Sequence, residues 1–390
     1  MHRYLEHSIQ SDLPSKLVLI SGPRQAGKTT IARQIATEIS GKKEVYLNWD
    51  YPEHRRAIRS LDWPRSAPVV VLDEIHKFPG WKSLLKGFFD VEGHKQSILV
   101  TGSARLDVYR KGGDSLFGRA YHYRLHPLTL GEISRGGSPP DIKKLLDPSS
   151  WISESDVIGE ETLKKLMTLG GFPEPYLKAN ERDAKRWRLN RRERVLHEDL
   201  RDLTLIRSIA KLENLLDLLL ERVGSPISIN ALREDLEVDH KTVESWIEIL
   251  ERLHFVFQVR PYGKRIQRSI SKARKIYFWD WSEVPETGMR LENLLGTHLL
   301  KLCHYLQDVE GIQAELRYVR DRNKREVDFL LLKERSPWVL VEAKTSDIKE
   351  SKSLPYFAER LQVKHAFQVT LKRYRGRHIV PCWDFLSKLP

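Results

Sequence analysis

Nine consecutive residues, Gly22-Pro23-Arg24-Gln25-Ala26-Gly27-Lys28-Thr29-Thr30, set glycines, a lysine and hydroxyls at the spacing G-x-x-x-x-G-K-[ST]. Each residue type has a task if the ligand is a polyphosphate. Gly22 and Gly27 let backbone N–H groups wrap the phosphates, Lys28 reaches the β and γ oxygens, and the Thr29 hydroxyl ligates Mg²⁺. The apolar run 16–21 before the loop reads as a strand, and Ile31 onward reads as a helix whose N-terminus favours an anion. ATP with Mg²⁺ is the expected cofactor pair.

Further on, Pro68-Val69-Val70-Val71-Leu72 is a continuous apolar run that ends in Asp73-Glu74. Such a run suits a strand buried on both faces of a parallel sheet. Asp73 would then hold Mg²⁺ and Glu74 would polarise the attacking water. A third strand, 97–100, leads into Thr101 and Ser103, either of which suits a γ-phosphate sensor, with Thr101 as the catalytic choice. Arg119, after Gly118, has two readings: an arginine finger in its own or a neighbouring subunit, or a structural ion pair.

A second group lies near the other end. Glu292, Asp328, Glu342 and Lys344 fall on elements expected in the order helix, three strands, helix, strand, which is that of a restriction-endonuclease-like core. On that frame Glu292, Asp328 and Glu342 would bind Mg²⁺ or Mn²⁺. Lys344 would orient or deprotonate the attacking water of a phosphodiester cleavage, with Asp328 and Glu342 as its catalytic partners. The alternative is a degenerate nuclease fold retained for binding or assembly.

Between the two groups, helical spacing at 212–223, 230–236 and 240–253 precedes strand-like runs at 255–259 and 275–278. That is the order of a winged helix-turn-helix. The stretch between its strands carries Arg260, Lys264, Arg265, Arg268, Lys272, Arg274 and Lys275 and no acid, so it reads as a wing lying along DNA phosphates. Glu244 and Glu248 on the second helix suit a major groove poorly, so sequence-tolerant contact is expected, with branched DNA one candidate. A protein-binding winged helix is the other reading. The basic helical run from about 181 to 209 suits either a solvated face or phosphate contact.

These elements imply an α/β chain in four parts: an ATPase core (1–135), a linker and helical lid (136–210), the winged helix (211–280) and the nuclease-like domain (281–390). The 390 residues are too many for one ordinary core. Lys and Arg number 66 against 53 acids, a net charge of +13 that points to a polyanionic partner. No apolar run approaches the roughly 20 residues of a membrane span, and the start lacks an apolar signal core. Cys303 and Cys382 are too few for a disulfide framework, so a reduced cytoplasmic protein is expected.

The segments GPRQAGKTT, VVVLDEIHKFPGWKSLLK, ILVTGSARLDV, LFGRAYHYRLHPLTLGEI and GGFPEPYL together resemble a widespread group of prokaryotic AAA+ ATPases. Members carry a C-terminal domain long described as of unknown function. The resemblance spans nearly the whole chain and implies an ATPase module of the AAA+/STAND type, for which homo-oligomers are expected. It implies no single biology. Two functions follow: ATP-dependent processing of DNA with a metal-dependent nuclease, or an ATP-gated switch whose later domains only bind DNA or protein.

Overall fold

The computed structural model describes residues 1–41, 44–102, 116–152, 157–199, 208–263, 273–346 and 349–390. It divides into two compact units, one of residues 1–127 with 136–139, the other of 128–135 with 140–390.

The first unit is a parallel sheet with helices. Its strands are β1 (Leu17–Ser21), β2 (Val45–Asn48), β3 (Val69–Asp73), β4 (Ser97–Thr101) and β5 (Ala120–Arg124), in the order β2-β3-β4-β1-β5. Helices α1 (Glu6–Asp12), α2 (Lys28–Ser40), α3 (Pro52–Ser60) and α4 (Trp81–Glu92) accompany it. Every residue of β1 and β3 is buried, as continuous apolar runs in a parallel sheet require. The register pairs Asn48 with Asp73 and Asp73 with Thr101, so the carboxyl ends of β2, β3 and β4 finish level. Ligands of open α/β sheets bind at that edge.

The second unit begins with α5 (Leu130–Ser134), α6 (Ile142–Leu146), α7 (Val157–Leu169), α8 (Pro173–Lys178) and α9 (Glu181–Arg194). The segment 136–210 was expected as a linker and helical lid on the ATPase core; beyond 136–139, its described part belongs to this unit. Aromatic packing accounts for the difference. Trp151 lies against Trp338, Phe367 and Phe385, and Trp281 donates its indole N–H to the Leu166 carbonyl. Three arginines of basic α9 are also engaged within the unit: Arg188 with Ser282, Arg191 with Glu283 and Arg192 with Asp217.

Helices α10 (Ile209–Leu220), α11 (Ile229–Leu236) and α12 (His240–Arg252) follow, then β6 (Val256–Pro261) and β7 (Lys275–Phe278). Ser228 caps α11 by accepting from the Ala231 N–H, and Glu237 stops it in a left-handed conformation, φ 51°. The exposed face of α12 is mixed in charge, with His240, Lys241 and Glu248. Next come α13 (Thr287–Asp308), β8 (Ala314–Arg320), β9 (Glu326–Lys333), β10 (Ser336–Lys344), α14 (Ser353–Leu361), β11 (His365–Thr370), β12 (Ile379–Pro381) and α15 (Cys382–Leu386).

The strands of this unit form one sheet in the order β12-β11-β10-β9-β8-β6-β7. β8, β9 and β10 run antiparallel to their neighbours, β10, β11 and β12 run parallel, and the β6–β7 hairpin joins through a short parallel pairing of β6 with β8. The hairpin therefore continues the sheet, and the expected divisions at 210/211 and 280/281 fall inside one compact unit.

Candidate functional sites

The phosphate-binding loop is shaped by its backbone. Gly22 has φ 139°, and a Cβ there would stand 2.2 Å from the Leu125 carbonyl oxygen. Gln25 and Gly27 are also left-handed, at φ 64° and 98°. Only glycine fits position 22, because the loop leaves β1 pressed against the chain leaving β5. Lys28, at the start of α2, donates from Nζ to the Gly22 and Pro23 carbonyls at 3.0 and 2.8 Å. Its ammonium is thus held within the loop. Arg24, Ala26, Thr29 and Thr30 complete the loop and the first turn of α2.

Asp73 collects hydroxyls. Thr29 donates to its Oδ2 at 2.9 Å, Tyr46 donates to the same oxygen at 2.6 Å, and Thr101 donates to Oδ1. Burial, together with the Asp73 carboxylate that its hydroxyl serves, pushes the Tyr46 phenol up to about 12. Glu74 is left-handed, φ 57°, a conformation that costs a glutamate on the order of 1 kcal/mol. Its N–H is bound by the Thr101 carbonyl, and its carboxylate lies 3.4 Å from Lys77 Nζ. Lys77 also bonds Asp50 at 2.6 Å.

Sequence reasoning missed Arg3, which is buried and donates to the Ala26 carbonyl at 2.7 Å and the His126 carbonyl at 2.6 Å. It ties the loop to the chain beyond β5. A single arginine outside any spacing pattern carries no signal of that role. Arg119 forms a two-pronged contact with Asp90 of the same chain, Nε to Oδ1 at 2.6 Å and Nη2 to Oδ2 at 3.3 Å. The ion-pair reading of Arg119 is the one seen. Ser103 lies outside the described residues.

In the second unit, Asn293 anchors α13 to β7 with a pair of bonds: Phe278 N–H to Oδ1 at 2.7 Å, and Nδ2 to the Phe278 carbonyl at 2.6 Å. This sets Glu292, one residue earlier, against Lys275 and Tyr277, which share a face of β7 by two-residue alternation. Lys275 Nζ lies 3.1 Å from Glu292, 2.7 Å from Glu326 and 3.4 Å from Asp328. Tyr277 donates to Glu292 at 2.6 Å, and the Ala343 N–H donates to the other Asp328 oxygen at 2.9 Å.

Burial raises the Glu292 carboxyl to about 7; Asp328 adds to the rise and Lys275 opposes it. Burial alone would lower the lysine, but Glu292, Asp328 and Glu326 outweigh it and hold Lys275 above the ordinary range. Glu342 pairs with Lys344 at 3.0 Å. Its carboxyl is raised, chiefly by burial, and its Oε2 is buried without a hydrogen bond.

These positions correct one expectation. Lys275 was assigned to DNA, yet its side chain has no exposed surface. Desolvating an ammonium demands close anions, and three carboxylates of its own unit provide them. Of the remaining wing residues, Arg260 is exposed and Arg274 lies 3.7 Å from Glu244; Lys264, Arg265, Arg268 and Lys272 lie outside the described residues.

Residues 14–134 match a family described as AAA domain. That match covers most of the first unit, including the phosphate loop. Residues 160–284 and 287–385 match two domains of unknown function, DUF8612 and DUF4143. An uncharacterized protein of Methanocaldococcus jannaschii is 25% identical over 295 residues, 67% of this chain and 60% of its own length. An uncharacterized protein of Mycobacterium tuberculosis is 25% identical over 285 residues, 72% and 56% of the two lengths. The matches span less than two thirds of either relative.

The Holliday junction branch migration complex subunit RuvB of Chlorobium phaeobacteroides is 32% identical over 121 residues, 31% of each chain. Among solved structures, the RuvB Holliday junction branch migration motor of Thermotoga maritima is 19% identical with a TM-score of 0.32, covering 70% of this chain and 88% of that one. No described helix is long and apolar enough to cross a membrane.

The first unit has a donor set suited to magnesium. The Thr29 hydroxyl and Asp73 carboxylate adjoin beside Lys28, the hard oxygen pair that Mg²⁺ takes with nucleotide phosphates. There Mg²⁺ would neutralise developing phosphate charge, while Lys28 and the loop N–H groups would hold the phosphates.

The acids of the second unit fit a metal less well. Among the described residues, the group of three acids or imidazoles with ligand atoms within 4.8 Å of one another is His2, Glu6 and Glu38, not Glu292, Asp328 and Glu342. An ammonium already bridges Glu292 and Asp328.

Proposed function

We propose that this chain is an ATP-dependent DNA-handling protein: ATP binding and hydrolysis in the AAA+ unit drive remodelling of, or movement on, DNA. The observation that carries the reading is the meeting of Thr29, Tyr46 and Thr101 on Asp73, level with the strand ends and next to Lys28. Lys28 holds the phosphates, Thr29 and Asp73 hold Mg²⁺, and Glu74, once it leaves Lys77, orients the attacking water. Thr101 positions Asp73, since its hydroxyl is committed to that carboxylate.

DNA as partner is supported by two features. One is the run of seven bases and no acid over 260–275. The other is the similarity of part of the chain to a subunit named for Holliday junction branch migration. The contact would be sequence-tolerant and include branched DNA, through Arg260, Lys264, Arg265, Arg268, Lys272 and Arg274. Homo-oligomers belong to the same proposal, as does action within the cytoplasm.

For the second unit the binding-only reading is favoured over Mg²⁺- or Mn²⁺-dependent cleavage by Asp328, Glu342 and Lys344. The buried ammonium between Glu292 and Asp328 is the observation that favours it.

The test measures ATP turnover with no DNA, duplex, single-stranded and four-way-junction DNA. Turnover abolished in Lys28→Ala and stimulated by DNA in the wild type is expected. Full turnover in Lys28→Ala would refute the assignment of the loop. Turnover unchanged by all three DNAs would refute the partner.

A further inference from the structure

The carboxylates of the second unit surround a cation that the chain itself supplies. Lys275 reaches Glu326, Glu292 and Asp328 at 2.7, 3.1 and 3.4 Å, and its ammonium lies 5.3 Å from the Tyr318 ring centroid. Further donors meet the same carboxylates. Glu292 Oε1 accepts from Tyr277, Asp328 Oδ2 accepts from the Ala343 N–H, and Glu326 Oε2 pairs with Arg320 at 2.9 Å. Behind Glu292 stands Gly224, where a Cβ would come within 2.6 Å of Oε2. The carboxylate therefore occupies the space that a side chain at position 224 would fill.

A divalent cation bridging Glu292 and Asp328 would need the same two oxygens. Mg²⁺ binds oxygen at about 2.1 Å and prefers near-octahedral geometry, so it cannot share Glu292 Oε1 and Asp328 Oδ1 with an ammonium between them. Two cations at one position would also repel strongly in a dehydrated site. Lys275 has a further property: it opens β7, directly after the basic connection that starts at Arg260. Its contacts fasten the base of that connection to β9 and α13.

We propose that the Lys275 ammonium is the resident cation of this cluster, taking the place of a divalent metal and anchoring the basic hairpin to the C-terminal sheet. The unit is then a metal-free platform rather than a nuclease. This deepens the binding-only reading above, but its test contains neither ATP nor DNA, so the two can fail separately.

The experiment is a Mn²⁺ titration of the full, nucleotide-free chain, followed by electron paramagnetic resonance, on wild type, Asp328→Asn, Lys275→Met and the double variant. Wild type and Asp328→Asn should bind Mn²⁺ alike. Lys275→Met should gain about one ion per chain, at least about tenfold tighter than wild type, and the double variant should lose it. Wild-type binding removed by Asp328→Asn would overturn the proposal, as would a folded Lys275→Met that gains no ion. If circular dichroism finds Lys275→Met unfolded, wild type against Asp328→Asn decides, since a metal at this cluster requires that carboxylate.

Discussion

Asp73 owes its position to three hydroxyls on three different elements. Two of them, Thr29 and Thr101, stand in recognisable patterns; the third, Tyr46, does not. A hydrogen bond to a charged acceptor is worth about 1.5–3 kcal/mol. Tyr46→Phe should therefore raise the Mg²⁺ needed for half-maximal ATP turnover about tenfold, leaving metal-free nucleotide binding unchanged. An unaltered Mg²⁺ requirement would remove Tyr46 from the set. Its role was hidden in the sequence because it depends on β2 lying beside β3 with Asn48 opposite Asp73. Nothing local to residues 45–48 announces which strand will be the neighbour. Lys275 is the converse case: its basic surroundings suggested DNA, while its actual partners come from β9 and α13.

At the scale of elements, α13 is a largely buried helix on which Glu292, Asn293, His298 and Lys301 are all hydrogen-bonded. His298 lies on it, with Nδ1 against the Leu294 carbonyl at 2.8 Å and Nε2 accepting from the Leu130 N–H at 3.1 Å. Accepting from Leu130 requires an unprotonated Nε2, so the neutral ring is held, and burial lowers its pKa to about 3 against the opposing Leu294 bond. A depressed pKa on a base means that the unfolded chain binds the extra proton first. The stabilisation is complete above about pH 6.5 and is lost as pH falls towards 3, by up to about 1.4 kcal/mol per pH unit. Urea unfolding of the second unit at several pH values should show that slope in wild type. His298→Gln should flatten it by one proton's worth, and an identical slope in both would exclude His298 as its origin.

At the scale of the molecule, the charge of +13 is spread over both units, so bulk charge says little about where a polyanion binds. The dense segment is 260–275, and Lys275 at its end is committed to internal carboxylates. That leaves six cations for the proposed DNA contact. Replacing Lys264, Arg265 and Arg268 together by alanine should weaken duplex binding. Each lost phosphate contact should lower the slope of log affinity against log salt by about 0.9. Titrations at several salt concentrations measure this, and an unchanged slope would place DNA elsewhere. The AAA+ unit should keep its basal ATP turnover in that variant.

The sequence by itself determined the phosphate loop, the Asp73-Glu74 strand end and the order of the elements from 212 to 370, because these rest on local backbone demands and on apolar periodicity. A backbone at φ 139° calls for the glycine that stands at position 22, and an unbroken run such as 69–72 must be buried. Tertiary structure alone decided which elements share a unit and what each charge meets. Residues 140–194 join the second unit through Trp151 and Trp281, and a helix pattern cannot say which surface will bury an indole. Likewise the acids 292, 326 and 328 come together around residue 275 only when β7, β9 and α13 are packed. Electrostatic partnership depends on distance in space, and sequence separation does not encode it.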